Sequence, residues 1–177
     1  DGTSQPSMNA FIASMMGTSR DSGIDYLTLE PLDNTWMRIR DMYAPFESGL
    51  RGGSARVFEH QIPGGQYSNL YAQCKALGMM ERWEEVLDMY RDCNNLMGDV
   101  VKVTPSSKCI GDLALFLIGR NLSAADVIPK ADVLSFPESV IDLMKGKLGA
   151  PHRGFPTEVQ TAILKGDAAL KERPGKS

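Results

Sequence analysis

Hydroxyl, amide and cationic side chains are concentrated in three short strings of the sequence, each at the start of a predicted helix. The strings are TSQPS (3–7), PGGQYSNL (63–70) and KVTPSSK (102–108). A helix N-terminus presents unbonded backbone N–H groups and the positive end of the helix dipole. Both features suit a carboxylate or a polar heterocycle, so these strings are the candidate ligand-binding parts of the chain.

The third string holds the most chemistry, because Thr104, Ser106, Ser107 and Lys108 meet at one predicted helix start. A hydroxyl both accepts and donates protons, and the lysine adds a positive charge. Taken locally, Thr104 is predicted to be an N-cap followed by Pro105 at the first helical position. Lys108 does not fit that purely structural interpretation, since the helix dipole favours acidic residues in a first turn.

The glycines and histidines give weaker signals. Gly64 and Gly65 are interpreted as a turn before the next helix, because the wider spacing of a phosphate-binding loop is absent. His60 could act as an acid or base near neutral pH, but the favoured interpretation is a half-exposed strand residue without a catalytic role. His152 is predicted to lie in a loop.

The charge balance and the lengths of the apolar runs exclude several classes of protein. The 177 residues include 19 Lys and Arg against 22 Asp and Glu, which gives a net charge of −3. That balance argues against a protein that binds nucleic acid or a membrane surface through charge. No apolar run approaches the roughly 20 residues that a membrane-spanning helix needs.

Histidine and cysteine counts argue against a metal site or a disulfide framework. The 2 histidines are far apart in sequence, so they form no histidine cluster for a metal. The 3 cysteines, Cys74, Cys93 and Cys109, are odd in number and lie in predicted helices beside apolar neighbours. We therefore predict buried free thiols in a reducing compartment.

Helical periodicity dominates the elements that must position the three strings. We predict helices over 7–16, 34–42, 81–97, 123–131, 137–147 and 157–165, and a central apolar helix over 109–118. Residues 56–62 are the most convincing extended stretch, and 100–103 form a short extended link. The predicted class is mainly α with one or two short extended segments. Several apolar faces would lack partners in so short a chain, so we expect it to pack on something larger.

Five strings in a fixed order carry a family resemblance: TSQPSM, EHQIPGGQYSNL, GDVVKVTPSSKCIGDLALF, LSFPESV and GFPTEV. Together they closely resemble the end of the carboxyltransferase domain of the pyruvate carboxylase family, over nearly the whole chain. The related oxaloacetate decarboxylase α subunit and transcarboxylase typically carry Met after the Gly-Gly pair and a third string closer to VTPTSQ. Gln66 and the Ser106-Ser107-Lys108 run therefore favour pyruvate carboxylase.

The resemblance implies a domain organisation. Residues 1–20 would be the final turn and last helix of a (β/α)8 barrel, 21–170 a helical funnel extension over the barrel mouth, and 171–177 a linker. The family's divalent metal (Mn or Zn), its ligands and the pyruvate-binding arginines would lie upstream of Asp1. The start on Asp1 rather than Met is what we expect of a fragment or a processed piece.

The resemblance also implies site residues and cofactors. Thr104 matches the family threonine that moves a proton between biotin N1 and the pyruvate methyl group. Gln66, Ser107 and Lys108 match residues that line the carboxybiotin pocket. The family's Met-Lys-Met biotinylation site is absent, so biotin would be attached to a carrier domain outside this chain. The ATP-using biotin carboxylase domain would lie outside it too.

The implied partners are the rest of the barrel, the carrier domain and the biotin carboxylase domain, in a homotetramer, without nucleic acid or membrane. The compartment would be the mitochondrial matrix in a eukaryote or the cytoplasm in a bacterium. Two alternatives stay open: a sister carboxyltransferase, and a non-catalytic helical segment used for packing or assembly. The isolated chain is expected to be inactive and to bind no divalent metal.

Overall fold

The computed structural model describes residues 6–47, 49–50, 52, 54–172 and 175. The chain divides into two compact units, one up to Ser54 and one from Ala55 onward. Within the described residues every regular element is helical and no strand is formed, which confirms the mainly helical class. The (β/α)8 barrel and the division into 1–20, 21–170 and 171–177 stay predictions.

The first unit contains two helices, α1 (Met8–Met15) and α2 (Glu30–Tyr43). Short 3-10 turns cover Tyr26–Leu29 and Ala44–Phe46. Asn9 Nδ2 donates a hydrogen bond to Asp33 at 3.0 Å and joins the two helices. The helices predicted over 7–16 and 34–42 are confirmed, although α2 begins four residues earlier. Large apolar side chains stay on the surface of this unit, with Trp36 66% and Phe46 83% exposed.

In its described residues, the second unit forms six α-helices, and the others are arranged around one of them. They are α3 (Val57–His60), α4 (Gly64–Ala76), α5 (Trp83–Leu96), α6 (Ser106–Ile118), α7 (Glu138–Met144) and α8 (Thr157–Leu164). Helix α6 packs against α4, α5 and α7, and 10 of its 13 residues are buried. The prediction of a central apolar helix is confirmed. Because α6 begins at Ser106, within KVTPSSK, the core of this unit holds the third string in place.

Helix α5 has one apolar stripe, as its sequence spacing predicts. Trp83, Val86, Leu87 and Tyr90 are all buried, while Glu84 on the other side is exposed. The three cysteines are free and buried, which confirms the predicted thiols. Burial raises the pKa of each thiol. These cysteines are therefore part of the apolar core.

The extended stretch predicted over 56–62 is wrong. Val57–His60 forms α3, and Gln61 turns into the left-handed region at φ 57°. Val57 and Phe58 are adjacent and exposed, at 40% and 84%, so they do not form the buried face of a strand. Arg56 provides a tertiary reason for the helix: it forms ion pairs with Glu84 and Asp88 and so binds α3 to α5.

One other helix also departs from the prediction. Instead of a helix over 123–131, the chain forms 3-10 turns at Ala124–Asp126 and Ala131–Val133. Ser123 and Asp126 form a capping box at the start of the first of these segments. That segment is a single 3-10 turn that ends at Asp126. Residues 100–103 form a link without a strand.

A hydrogen bond from the core supports the first turn of α6, and we expect its removal to destabilise the chain slightly. The fully buried Tyr90 hydroxyl donates to the backbone oxygen of Ser107 at 3.2 Å. Tyr90→Phe should lower the free energy of unfolding by about 1 kcal/mol, measured by urea titration. Tyr43→Phe, at a site 61% exposed, is the matched control. Equal stability of the two variants would show that the Tyr90 bond contributes nothing.

Candidate functional site

Thr104 lies in a turn just before α6 and does not cap it. Helix α6 begins at Ser106 with Pro105 at the N-cap position, without a side-chain capping bond. The predicted Thr104 cap is therefore wrong. The reason is that the Ser107 N–H, which a Thr104 cap would bind, already donates to the Val103 carbonyl at 3.1 Å, and the Pro105 carbonyl accepts from Lys108 N at 3.1 Å. The exposed side chain of Thr104 is thus not used in capping.

Ser106 replaces Thr104 as the residue that organises the turn. Its hydroxyl lies 2.5 Å from the carbonyl oxygen of Val101 and 2.7 Å from that of Val103, and can donate to either. Both carbonyls belong to the link that leads into the helix. Ser106 therefore holds the backbone before and after Thr104 in place, and this fixes the position of the Thr104 Cα atom.

Lys108 is held by a carboxylate one turn further along α6. Its ammonium group lies 2.6 Å from Asp112 Oδ2, and the Ser139 hydroxyl on α7 donates to the same oxygen at 2.6 Å. The Lys108 side chain is 54% exposed and that of Asp112 only 17%. Asp112 thus offsets the unfavourable position of a lysine in a first turn. An exposed ion pair contributes at most about 1 kcal/mol, so an anionic ligand could compete for Lys108.

Gln66 is the third residue of α4 and reaches across to α6. The residue is only 7% exposed, and among the described residues its Nε2 has no hydrogen-bond partner. At Gly111 of α6, a built Cβ atom would lie 2.7 Å from Gln66 Nε2. A buried amide without a partner costs about 1–3 kcal/mol. An unpaired amide at this position is therefore a candidate ligand contact.

Three of the four predicted pocket and relay residues lie at the start of α6. The fourth, Gln66, lies on α4 and packs against α6. Thr104 precedes α6, while Ser107 and Lys108 lie in its first turn. Ser107 is buried and lies one turn before Gly111, the position that Gln66 contacts. Of the string TSQPS, residues 3–5 lie outside the described residues, and Ser7 belongs to the first unit.

Sequence reasoning missed Gly111 and Asp112. The Lys108–Asp112 spacing of four residues is a readable signal for a helical ion pair. An isolated glycine within an apolar helix is a weaker signal for a close approach by another group. Neither spacing identifies Gln66 or Ser139 as the partner.

His60 is a buried residue of the α3–α4 corner, so the predicted half-exposed strand position is wrong. It is 2% exposed, its Nδ1 accepts from Ile62 N at 3.0 Å, and its ring stacks on Tyr67 at 5.5 Å. Burial, and next the positive charge of Arg56, lower the pKa of His60. The neutral ring therefore fixes the turn that leads into α4 and Gln66.

His60 should make the stability of the chain depend on pH. Because its pKa is lower in the folded state, the unfolded chain binds more protons below about pH 6.5, and stability falls as the pH drops. The free energy of unfolding should decrease by up to about 1.4 kcal/mol per pH unit from this group, measured by urea titration from pH 7.5 to 5.0.

One substitution tests that assignment. His60→Gln should flatten the pH dependence of the free energy of unfolding between pH 6.5 and 5.0. An unchanged slope in His60→Gln would contradict the assignment.

In the ranges that the structure describes, no group of three or more His, Cys, Asp or Glu side chains could hold a metal ion. Within those ranges, no helix combines the length and apolar character needed to cross a membrane.

Comparison with known protein families identifies the family of this chain. The model of the conserved carboxylase domain family matches residues 57–177, which contain all of Gln66, Thr104, Ser107 and Lys108. The chain belongs to the conserved carboxylase domain family. This confirms the resemblance on which the site residues were first selected.

Individual members of this family agree with the assignment along the whole chain. Pyruvate carboxylase of Bacillus subtilis is 46% identical over 98% of this chain, and pyruvate carboxylase 1 of Caenorhabditis elegans is 45% identical over 99%. The carboxyl transferase domain of Rhizobium etli pyruvate carboxylase, solved with pyruvate and biocytin, has a TM-score of 0.90 and 42% identity over 99% of the chain. The chain spans 15% of each of the two curated relatives and 30% of the Rhizobium domain.

Proposed function

We propose that this chain is the C-terminal part of the carboxyltransferase domain of a pyruvate carboxylase, an ATP- and biotin-dependent enzyme that converts pyruvate to oxaloacetate. The support is about 45% identity to pyruvate carboxylases over nearly the whole chain. In this proposal α1 is the last helix of a (β/α)8 barrel, residues 21–170 are the helical extension, and 171–177 are a linker. The barrel would supply the Mn or Zn site and the pyruvate-binding arginines.

The pocket for carboxybiotin is proposed at the start of α6, and the observation that carries it is the unpaired buried amide of Gln66. A ureido ring offers a carbonyl oxygen as an acceptor, and a primary amide that can turn about its last torsion offers two N–H donors. Ser107 would line the same pocket. Lys108 would place a positive charge beside the ligand's negative charge, in competition with Asp112.

Thr104 would relay a proton between the two ligands. Carboxybiotin, when bound, would supply CO2 and a basic nitrogen at N1. The Thr104 hydroxyl would give its proton to that nitrogen and receive one from the pyruvate methyl group, and the resulting enolate would form the C–C bond to CO2. Such a relay needs both partners within about 3 Å of the hydroxyl. The exposure of Thr104 and its absence from helix capping support this role.

The other components of the reaction would come from outside this chain. Biotin would be carried on a separate carrier domain and carboxylated with ATP by a biotin carboxylase domain, in a homotetramer located in the mitochondrial matrix or the bacterial cytoplasm. The chain alone would then have no turnover. The alternatives are a sister decarboxylase or transcarboxylase, and a packing segment without a catalytic role.

The Gln66 amide provides a specific test. In the complete carboxylase, Gln66→Met keeps the length of the side chain and removes both donors, so pyruvate carboxylation should fall about 10- to 100-fold, the range for one lost hydrogen bond to a charged group. ATP-dependent carboxylation of biotin should be unchanged. Gln160→Met, on α8, is the control, because the Gln160 Nε2 already donates to the Met144 carbonyl at 2.7 Å. Equal effects on pyruvate carboxylation in the two variants would remove Gln66 from the pocket.

A further inference from the structure

Gly111 interrupts the central helix α6 at a buried position. It lies between Ile110 and Asp112, in the middle of α6. A glycine in a helix interior costs about 1 kcal/mol relative to alanine, because it loses more backbone freedom on folding. Glycine at position 111 therefore makes α6 less stable than alanine would. The apolar character of the surrounding core gives no reason for this choice.

The space over Gly111 is occupied by the side chain of Gln66. A Cβ atom at position 111 would lie 2.7 Å from Gln66 Nε2 and 3.2 Å from Leu70 Cδ1. The first distance is shorter than any normal contact between such atoms. Gln66 and Leu70 are one turn apart on α4, so α4 uses the gap at Gly111 to approach α6 closely.

Not every helical glycine in this unit has such a role. At Gly65, in the first turn of α4, a built Cβ atom meets nothing within 4 Å. Alanine would therefore fit at position 65 without moving any neighbour. The comparison shows that the restriction at Gly111 comes from the α4–α6 contact and is specific to it.

We propose that Gly111 is a positioning residue for Gln66. The missing side chain at position 111 forms a notch that seats the Gln66 amide against α6, one turn from Ser107. A methyl group there would push the amide out of the notch, because the Gln66 backbone is fixed within α4 and its side-chain end is the part free to move. This inference rests on the proposed function of Gln66 in the carboxybiotin pocket.

A double-mutant cycle in the complete carboxylase tests the coupling. Gly111→Ala and Gln66→Ala should each lower kcat/KM for pyruvate carboxylation about 10- to 100-fold, and ATP-dependent carboxylation of biotin should stay unchanged in both. The double variant should be no slower than the slower single variant, since both remove the same contact. Losses that multiply in the double variant, or full activity of Gly111→Ala, would overturn the proposal. Gly65→Ala is the control for a helical glycine with open space.

Thermal unfolding of the 177-residue chain separates this inference from the proposed function. Gly111→Ala has two effects on Tm: alanine adds about 1 kcal/mol of helix propensity in either background, whereas the clash with the amide exists only when Gln66 is present. The change in Tm caused by Gly111→Ala should therefore be several degrees more favourable in the Gln66→Ala background. An equal change in both backgrounds would show that Gln66 does not occupy the notch and would overturn the inference. A complete protein without any transfer activity would instead overturn the proposed function, and the Tm cycle would still decide the seating of Gln66.

Discussion

Replacing Thr104 by alanine should lower carboxyl transfer to pyruvate by about 10²–10⁴-fold in the complete carboxylase. The reason is that the proposed relay has one hydroxyl, and alanine can neither accept nor give a proton. The fold should not suffer, because Thr104 is exposed and does not cap α6. The free energy of unfolding should change by less than about 0.5 kcal/mol, as for other exposed sites.

Two rates decide the role of Thr104. Pyruvate carboxylation should be lost in Thr104→Ala, while ATP-dependent carboxylation of biotin, which takes place in another domain, should persist. Thr104→Ser keeps the hydroxyl and should retain most of the transfer activity. If Thr104→Ala retains more than about a tenth of the transfer rate, Thr104 has no part in proton transfer.

Removing the charge of Lys108 is the second change for which we expect a large effect. Lys108→Gln should lower carboxyl transfer by about 10²–10³-fold, because a fixed positive charge beside developing negative charge stabilises a transition state to that extent. Its ion pair with Asp112 is exposed on the lysine side, so its loss should cost the fold at most about 1 kcal/mol. Asp112 keeps its hydrogen bond from Ser139 in this variant.

A second lysine of the chain offers a close control. Lys130 forms an ion pair with Asp126 at 2.8 Å, also across four residues, and is exposed to a similar degree at 48%. Lys130→Gln therefore removes the same kind of ion pair away from the α6 start. We expect kcat for carboxyl transfer to fall in Lys108→Gln and to stay unchanged in Lys130→Gln. Equal kcat values in the two variants would mean that Lys108 acts only as a surface charge.

The helices that the sequence predicts well are those whose apolar spacing is long and regular. Helix α5 has a clean stripe from Trp83 to Tyr90, and α6 is apolar on most sides, so both were predictable from periodicity alone. The stretch 56–62 was not, because its four-residue helix is too short to show a period. The ion pairs of Arg56 with α5 decide its conformation, and they join residues 28 or more positions apart.

The candidate site also has features that the sequence predicts and features that it does not. Family strings are enough to select Thr104, Ser107, Lys108 and Gln66, because each lies in a motif with a fixed order. The role of Thr104 as a cap was predicted wrongly, since a Thr-Pro-Ser-Ser string does not show that the Ser107 N–H already donates to the Val103 carbonyl. The contact of Gln66 with Gly111 links two helices and depends on their packing, which no local pattern contains.

The central claim is that this chain completes the carboxybiotin side of a pyruvate carboxylase. Its most direct test is the incorporation of bicarbonate carbon into oxaloacetate by the complete protein, measured with ATP and pyruvate and repeated after avidin has bound any biotin group. We predict incorporation that requires both ATP and pyruvate and is stopped by avidin. A protein that decarboxylates oxaloacetate but incorporates no bicarbonate carbon, or one whose activity avidin does not affect, would contradict the claim.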